Sequence, residues 1–337
     1  MAKVKVIRED MMKNLRKSLE EDLKGRFSEG DSVCVKAHMG EYGNLNYLRP
    51  PIIGVVVEVL KNMGAKPFLF DTPVAYPSSR KTEEGYLDTA RRHGFTEETV
   101  GCPVIISNEG KEVESRHTSK LLLARKLVEA DGLVVVSHFK GHSMTNFGGA
   151  IKNIGMGAVT RESKRIMHDE AQAVVGEGCT GCGTCVPACP NGAIKVKDGK
   201  AVIDYGSCYG CCACVEVCPA GAMKAKSVPF SRSLGESAAL VLKEFGPRKT
   251  FFINVAMDIT RRCDCGGYSG AGDKVMLDVG MLTSESAPAI DKASLDLADK
   301  ASGGTFSKIY KSRLHEQFES LKDNGAGDSG YELEEVK

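Results

Sequence analysis

The sequence predicts an α/β chain, a mostly parallel sheet with helices on both faces, interrupted by a smaller inserted α+β module. Three observations predict it. Short runs rich in valine, isoleucine and phenylalanine alternate with stretches of helical spacing through the first half. The same alternation resumes beyond residue 227. Between the two lies a stretch, 179–219, where cysteine recurs every few positions and then stops. Near-continuous apolar strands joined by helices mark a sheet buried on both faces.

The elements follow in order. Residues 9–27 place Met12, Leu15, Leu19 and Leu23 at the spacing of an amphipathic helix. Asp31 to His38 is a β-branched run, and Pro50 to Met63 is a buried helix opened by proline. Lys66 to Asp71 is a strand, Gly85 to His93 a helix and Pro103 to Ser107 a strand. Ser119 to Ala130 is expected as a helix, and Gly132 to His138 as a strand. Phe147 to Gly157, rich in glycine, closes this part. Later come a helix near Gly235 to Phe245, a strand Lys249 to Ala256, an apolar run from Val275 to Gly280, a helix near Ala287 to Ala301 and an amphipathic helix over 312–322. The expected organisation is an α/β domain in two parts, 1–171 and 227–322, an insert over 172–226, and a glycine-rich, acidic tail over 323–337 expected to be mobile.

The chain has 337 residues, enough for a full core, and its 45 basic residues balance 44 acidic ones. Nothing in that balance points to nucleic acid as a partner. The charged amino terminus lacks the apolar core of a signal peptide, and no run reaches the ~18 apolar residues of a membrane span, so a cytoplasmic protein is expected. Thirteen cysteines in a reducing compartment favour metal ligation and redox work over disulfides.

Cys179, Cys182, Cys185 and Cys189, followed by Pro190, have the spacing C-x2-C-x2-C-x3-C-P, and Cys208, Cys211, Cys214 and Cys218, followed by Pro219, repeat it. Three closely spaced thiolates can take three corners of a cubane iron cluster. In the bacterial arrangement the fourth cysteine of each run crosses to the other cluster. Cys218 then completes the site of Cys179, Cys182 and Cys185, and Cys189 that of Cys208, Cys211 and Cys214. Zinc ribbons need neither the third cysteine nor the trailing proline. The segment resembles the bacterial two-cluster ferredoxins, with two [4Fe-4S] clusters as the expected cofactors. Gly181, Gly183 and Gly210 are expected to let backbone amides approach the sulfurs. Cys212 has no place in the ligand count and reads as a small buried thiol.

Ligands of open parallel sheets bind beyond the carboxyl ends of the strands. The polar residues there are Lys36, His38, Asp71, His138, Lys140, His142, Lys152, Asn153 and Cys263-Asp264-Cys265. His138 and His142 have the spacing of two metal ligands on one turn, and Cys263 and Cys265 are candidates for an additional metal. Alternatively the histidines bond loop carbonyls and the thiols are packed. Lys36, Lys140 and Lys152 could anchor an anion. The glycines at 148, 149, 155 and 157 could cradle a phosphate, although their spacing matches no nucleotide motif.

Outside the cysteine stretch the chain is similar to the family called domain of unknown function 362. The likeness rests on Val-Cys-Val-Lys36, Ser-His138-Phe-Lys140-Gly-His142, Gly-Gly-Ala-Ile-Lys152-Asn153, Cys263-Asp264-Cys265 and Asp278 through Ser284-Glu285 to Asp291. Glu285-Ser286 stands where members often carry Asp-Pro. The resemblance implies an iron–sulfur protein with an α/β domain of no agreed chemistry.

Three functions compete. In the first, two clusters relay single electrons to or from a substrate or metal pocket, with His138, Lys140, His142 and Lys152 as catalytic candidates and a redox protein or small molecule as partner. In the second, a carrier or assembly factor docks on a partner complex. The third is a redox or oxygen sensor. A pocket beside Cys263 favours the first, and a bare surface there the second.

Overall fold

The computed structural model describes residues 1–142, 144–246, 248–265, 272–309 and 315–336. The chain opens with β1 (Ala2–Ile7), α1 (Met11–Asp22), β2 (Ser32–Ala37), α2 (Pro50–Asn62) and β3 (Lys66–Asp71). Next come α3 (Glu83–Arg92), the single turn α4 (Glu97–Val100), β4 (Val104–Ile106), and the hairpin of β5 (Gly110–Val113) and β6 (Leu121–Ala124). The turn α5 (Arg125–Val128) precedes β7 (Gly132–His138). A small hairpin, β8 (Lys140–His142) and β9 (Asn146–Gly148), leads into α6 (Ala150–Gly157) and α7 (Arg161–Glu170).

The cysteine lobe contains β10 (Ala173–Val175), α8 (Cys185–Ala188), β11 (Ile194–Lys197), β12 (Lys200–Ile203), α9 (Ala213–Glu216) and β13 (Met223–Ala225). Beyond it lie α10 (Phe230–Lys243), β14 (Thr250–Ala256), β15 (Gly280–Ser284), α11 (Ala287–Ala301), α12 (Thr305–Ile309), α13 (Glu316–Asp323) and β16 (Tyr331–Val336).

Eight strands form the main sheet in the order β16-β1-β15-β14-β7-β2-β3-β4. Only β15 among them runs antiparallel to its neighbours, β1 and β14. The remaining pairings are parallel. Alternate side chains go to opposite faces, as the pleat requires. Val33, Val35, Val134 and Val136 join the core under α1, α2 and α3. Cys34, Leu133 and Val135 join the core under α6, α10 and α11. Helices therefore cover both faces, and the α/β class with a mostly parallel sheet is the fold. The helix starts obey local rules: Pro50 and Pro51 begin α2, where their missing N–H costs nothing, and the Ser286 hydroxyl accepts from the Ala289 amide at the start of α11.

Several expectations are corrected. The helix expected over Ser119 to Ala130 is a strand followed by one turn, because Leu121 to Ala124 pair with β5. The Ser163 hydroxyl accepts from the Leu122 amide and secures that strand. The tail expected to be mobile supplies β16, paired in parallel along the whole of β1. The helix expected over 312–322 is α13, and residues 312–314 lie outside the described residues. The glycine-rich run is not a phosphate cradle but the hairpin strand β9 and the helix α6. The Asp291 carboxylate occupies the amino terminus of α6, accepting from the Ala150 amide at 2.7 Å and the Ile151 amide at 2.9 Å.

The lobe has a small core of its own, formed by Ala173, Cys185, Ile194, Ala201, Ile203, Cys214 and Met223. Its first and last strands, β10 and β13, pair with each other. It sits on the end of α7, where Gln172 Nε2 donates to the carbonyls of Tyr205 and Cys208, and His168 Nδ1 donates to that of Tyr209. Gly210 has φ 76°, and a Cβ there would come 2.5 Å from the His168 carbonyl oxygen, so glycine is required for the close approach.

Candidate functional site

The carboxyl ends of β2, β3 and β7 deliver Lys36, Asp71 and His138 to one end of the sheet, and the loop after β14 brings Cys263, Asp264 and Cys265 to meet them. These residues line a cavity of about 520 Å³, except Asp264, which lies behind its wall. The expected residues Lys36, His38, Asp71, His138, Lys140, His142, Lys152, Asn153, Cys263 and Cys265 all line it. The last motif of the family likeness divides. Asp291 reaches α6, whereas Glu285 pairs with Arg26 at 3.1 Å. Because β15 runs against its neighbours, its carboxyl end lies at their amino ends, away from the cavity.

Lys36 is fully buried and ion-pairs with Asp71 at 2.9 Å, and its Nζ also donates to Asn153 Oδ1 at 2.7 Å. That lysine is committed to internal partners and is not free to anchor an anion. Asn153 Nδ2 donates to the Val136 carbonyl and to Ser137 Oγ, which ties α6 to β7. Asp264 is inaccessible and is shared by His138 Nδ1 at 3.1 Å and Lys140 Nζ at 3.1 Å. Burial would raise its pKa, but Lys140 and His138 outweigh it and hold the carboxyl well below the usual range. His138 Nε2 faces the Met257 carbonyl at 2.8 Å, so both ring nitrogens point at acceptors and neither is turned to a metal.

The ligand atoms of His142, Cys263 and Cys265 lie within 4.8 Å of one another, a grouping that could hold a metal ion. Two backbone amides, of Met144 and Thr145, donate to His142 Nδ1 at 3.2 and 3.1 Å. An amide can only donate, so Nδ1 is the unprotonated nitrogen and Nε2 carries the proton in neutral imidazole. Burial, then the Lys152 charge, lowers the His142 pKa to about 4. Lys152 Nζ stands 3.3 Å from Cys263 Sγ. A hydrogen bond from the Cys265 thiol, with the charge of Lys152, holds Cys263 well below the ordinary thiol range despite its burial. The same hydrogen bond, then burial, pushes Cys265 well above it. Of the two sulfurs, Cys263 is the one whose neighbours favour the deprotonated form.

Two small cavities divide the thiols of the cysteine lobe. Cys179, Cys182, Cys185 and Cys218 line one small cavity. Cys189, Cys208, Cys211 and Cys214 line another, together with Cys212. The amides of Ala201 and Ala193 donate to the sulfurs of Cys179 and Cys189, each at 3.3 Å. Gly181, Gly183 and Gly210 all have positive φ. Cys212 also has positive φ, 58°, and its Sγ donates to the Ala171 carbonyl at 3.1 Å, so it faces α7. Cys208 and Tyr209 line both the second small cavity and the large one.

Sequence reasoning did not anticipate Arg80, which is fully buried and donates to Glu41 Oε2 at 2.9 Å and to His38 Nε2 at 2.7 Å. Nor did it anticipate Lys164 on the cavity wall, whose pKa burial lowers to about 7. Arg80 sits in a polar loop with no motif, and Lys164 follows an ordinary helical pattern, so neither carried a signal.

Among the described residues no helix is long and apolar enough to cross a membrane. The chain is 26% identical over 148 residues to the thylakoid-associated protein sll1697 of Synechocystis sp., a match covering 42% of this chain and 43% of that protein. This chain therefore matches less than half of that relative's length. The lactate racemase apoprotein of Thermoanaerobacterium thermosaccharolyticum aligns with 77% of this chain and 51% of its own, at 11% identity and a TM-score of 0.36. Residues 33–296 match the family described as Domain of unknown function (DUF362), which spans both parts of the sheet and the lobe between them, and the chain belongs to that family.

Proposed function

We propose that this chain is an iron–sulfur redox protein in which the cysteine lobe is a two-cluster ferredoxin module serving the cavity at the end of the sheet. One observation carries the reading: Cys208 and Tyr209 belong to the wall of the second four-thiol site and to the wall of the cavity. Four converging thiols per site and the two N–H···S contacts fit a thiolate-held cubane. Such clusters, when bound, supply one-electron chemistry at low potential.

The chain's own residues give that chemistry a place to act. Gln172 and His168 fix the backbone of residues 205–209, which holds Cys208 at the cavity edge. Asp264 orients His138 and Lys140, and the fully buried Lys36–Asp71 pair braces the floor. A formed cavity beside Cys263, where a carrier would present bare surface, favours an enzyme over a docking factor.

Anaerobic purification followed by iron, sulfide and general metal analysis tests the reading, together with electron paramagnetic resonance of the reduced protein. About eight irons per chain with two interacting reduced centres is the expected result. Iron-free protein, or zinc on the eight sulfurs, ends it.

A further inference from the structure

We propose that Cys263 and Cys265 form a dithiol–disulfide couple in the cavity, with Cys263 as the attacking thiolate and a small anionic disulfide as its substrate class. Four donors converge on the Cys263 sulfur: the Cys265 thiol, Lys152 Nζ at 3.3 Å, the Cys265 amide at 3.4 Å and the Nε2–H of His142, whose tautomer the Met144 and Thr145 amides fix. Such an environment makes a buried sulfur a nucleophile and leaves His142 a donor with no lone pair for a metal. Asp264, between the two cysteines, is occupied by His138 and Lys140. Among the described residues nearby, two thiols then remain as metal donors, short of a closed tetrahedral set.

The cavity indicates the substrate. Its wall carries five cationic side chains, Lys36, Lys140, Lys152, Lys164 and Arg165, against two carboxylates, Asp71 and Asp169. Lys36 already neutralises Asp71. Lys140 is likewise paired with the buried Asp264 and Arg165 with Asp169 at 3.8 Å, so Lys152 and Lys164 are the wall cations with no carboxylate partner among the described residues and the ones that would meet an anionic ligand, while Tyr76, Tyr209 and Phe230 add an aromatic rim.

The exchange balances as follows. The Cys263 thiolate attacks one sulfur of the substrate disulfide, forming a mixed disulfide as the substrate S–S bond breaks and one thiolate leaves. Cys265 gives its proton to that leaving group, then attacks the Cys263 sulfur and expels the second thiolate. The chain is left with a Cys263–Cys265 disulfide. Two electrons, supplied singly through the cysteine lobe by a one-electron donor protein, and one proton restore the starting pair. This regeneration rests on the relay reading, whereas the exchange does not.

The test uses full-length, anaerobically purified, metal-replete protein and the anionic aromatic disulfide DTNB, with peptide mapping by mass spectrometry. One equivalent of DTNB should release about two thionitrobenzoate ions and leave Cys263 joined to Cys265. Cys265→Ser should stop at a mixed disulfide on Cys263. Lys152→Met should slow the reaction about tenfold, with Lys152→Arg restoring most of the rate. Cys34 and Cys102, both buried, serve as slow internal references. The proposal is overturned if Cys263 reacts no faster than those two, or if the native protein carries one equivalent of a non-iron metal that Cys263→Ser removes. Reducible clusters alongside an inert Cys263 defeat the exchange and spare the relay. A disulfide that forms with DTNB but resists a reduced donor supports the exchange and defeats the relay.

Discussion

Lys36 and Asp71, on neighbouring parallel strands, meet at 2.9 Å with both side chains closed off from solvent. Asp71 also accepts from the Tyr86 hydroxyl, and Lys36 donates to Asn153, so strands, helix and cavity floor share one polar knot. Breaking half of a buried pair strands the other charge. Lys36→Met should cost about 3–5 kcal/mol in denaturant unfolding, and the double change Lys36→Met with Asp71→Leu should recover much of it. A single variant as stable as wild type refutes the account.

Asp291 caps α6 through two amides and accepts from Asn254 Nδ2 at 2.8 Å. Asp291→Ala leaves buried donors without acceptors and should lower stability by about 1–3 kcal/mol. Amide hydrogen exchange should quicken first at Ala150 and Ile151.

The pH response near the cavity has a definite sign at His142. Its folded pKa is about 4, depressed by burial and then by Lys152, against an ordinary 6.5. Between those values the unfolded chain takes up a proton that the fold refuses, so stability falls as pH drops from 6.5 towards 4. The full difference is on the order of 3 kcal/mol. Asp291, raised to about 6 by burial, contributes the opposite slope between about pH 4 and 6. Comparing wild type with His142→Gln across pH 4–7 isolates the histidine, and identical curves would show that His142 is not linked to folding.

The two thiol sites should fail separately. Cys182→Ser and Cys214→Ser should each lose about half of the iron, with different reduced spectra remaining. Equal and complete loss from both would contradict independent sites.

Cys212 provides the matching control, since its thiol meets the Ala171 carbonyl. Cys212→Ala should keep full iron content while loosening the lobe, a loss of about 1 kcal/mol. Loss of iron in this variant would make it a ligand after all.

Much of this was legible in the residues. Lys66–Asp71, Gly132–His138 and Ala287–Ala301 have the bounds expected of them, because each is a clean apolar or periodic run with polar punctuation. Leu121 to Ala124 was not, since a short apolar run is ambiguous until its partner strand is known. β1 and β16 hid behind lysines and glutamates that face solvent or each other at a sheet edge, such as Lys3 beside Glu334. The grouping of histidine, lysine and cysteine around one cavity followed from their places after strands. Their division of labour did not, because it depends on which atom Asp264 or a backbone amide occupies.

The incoming and outgoing strands of the cysteine lobe run side by side, Ala173 opposite Ala225. The host therefore holds the lobe by this paired stem and by the seat that α7 gives Tyr209, Gly210 and Cys212, and loss of the lobe would leave two adjacent stumps easily rejoined. A shortened chain bridging 172 to 226 should keep its eight-stranded sheet while losing the wall that Cys208 and Tyr209 give the cavity, which widens its mouth.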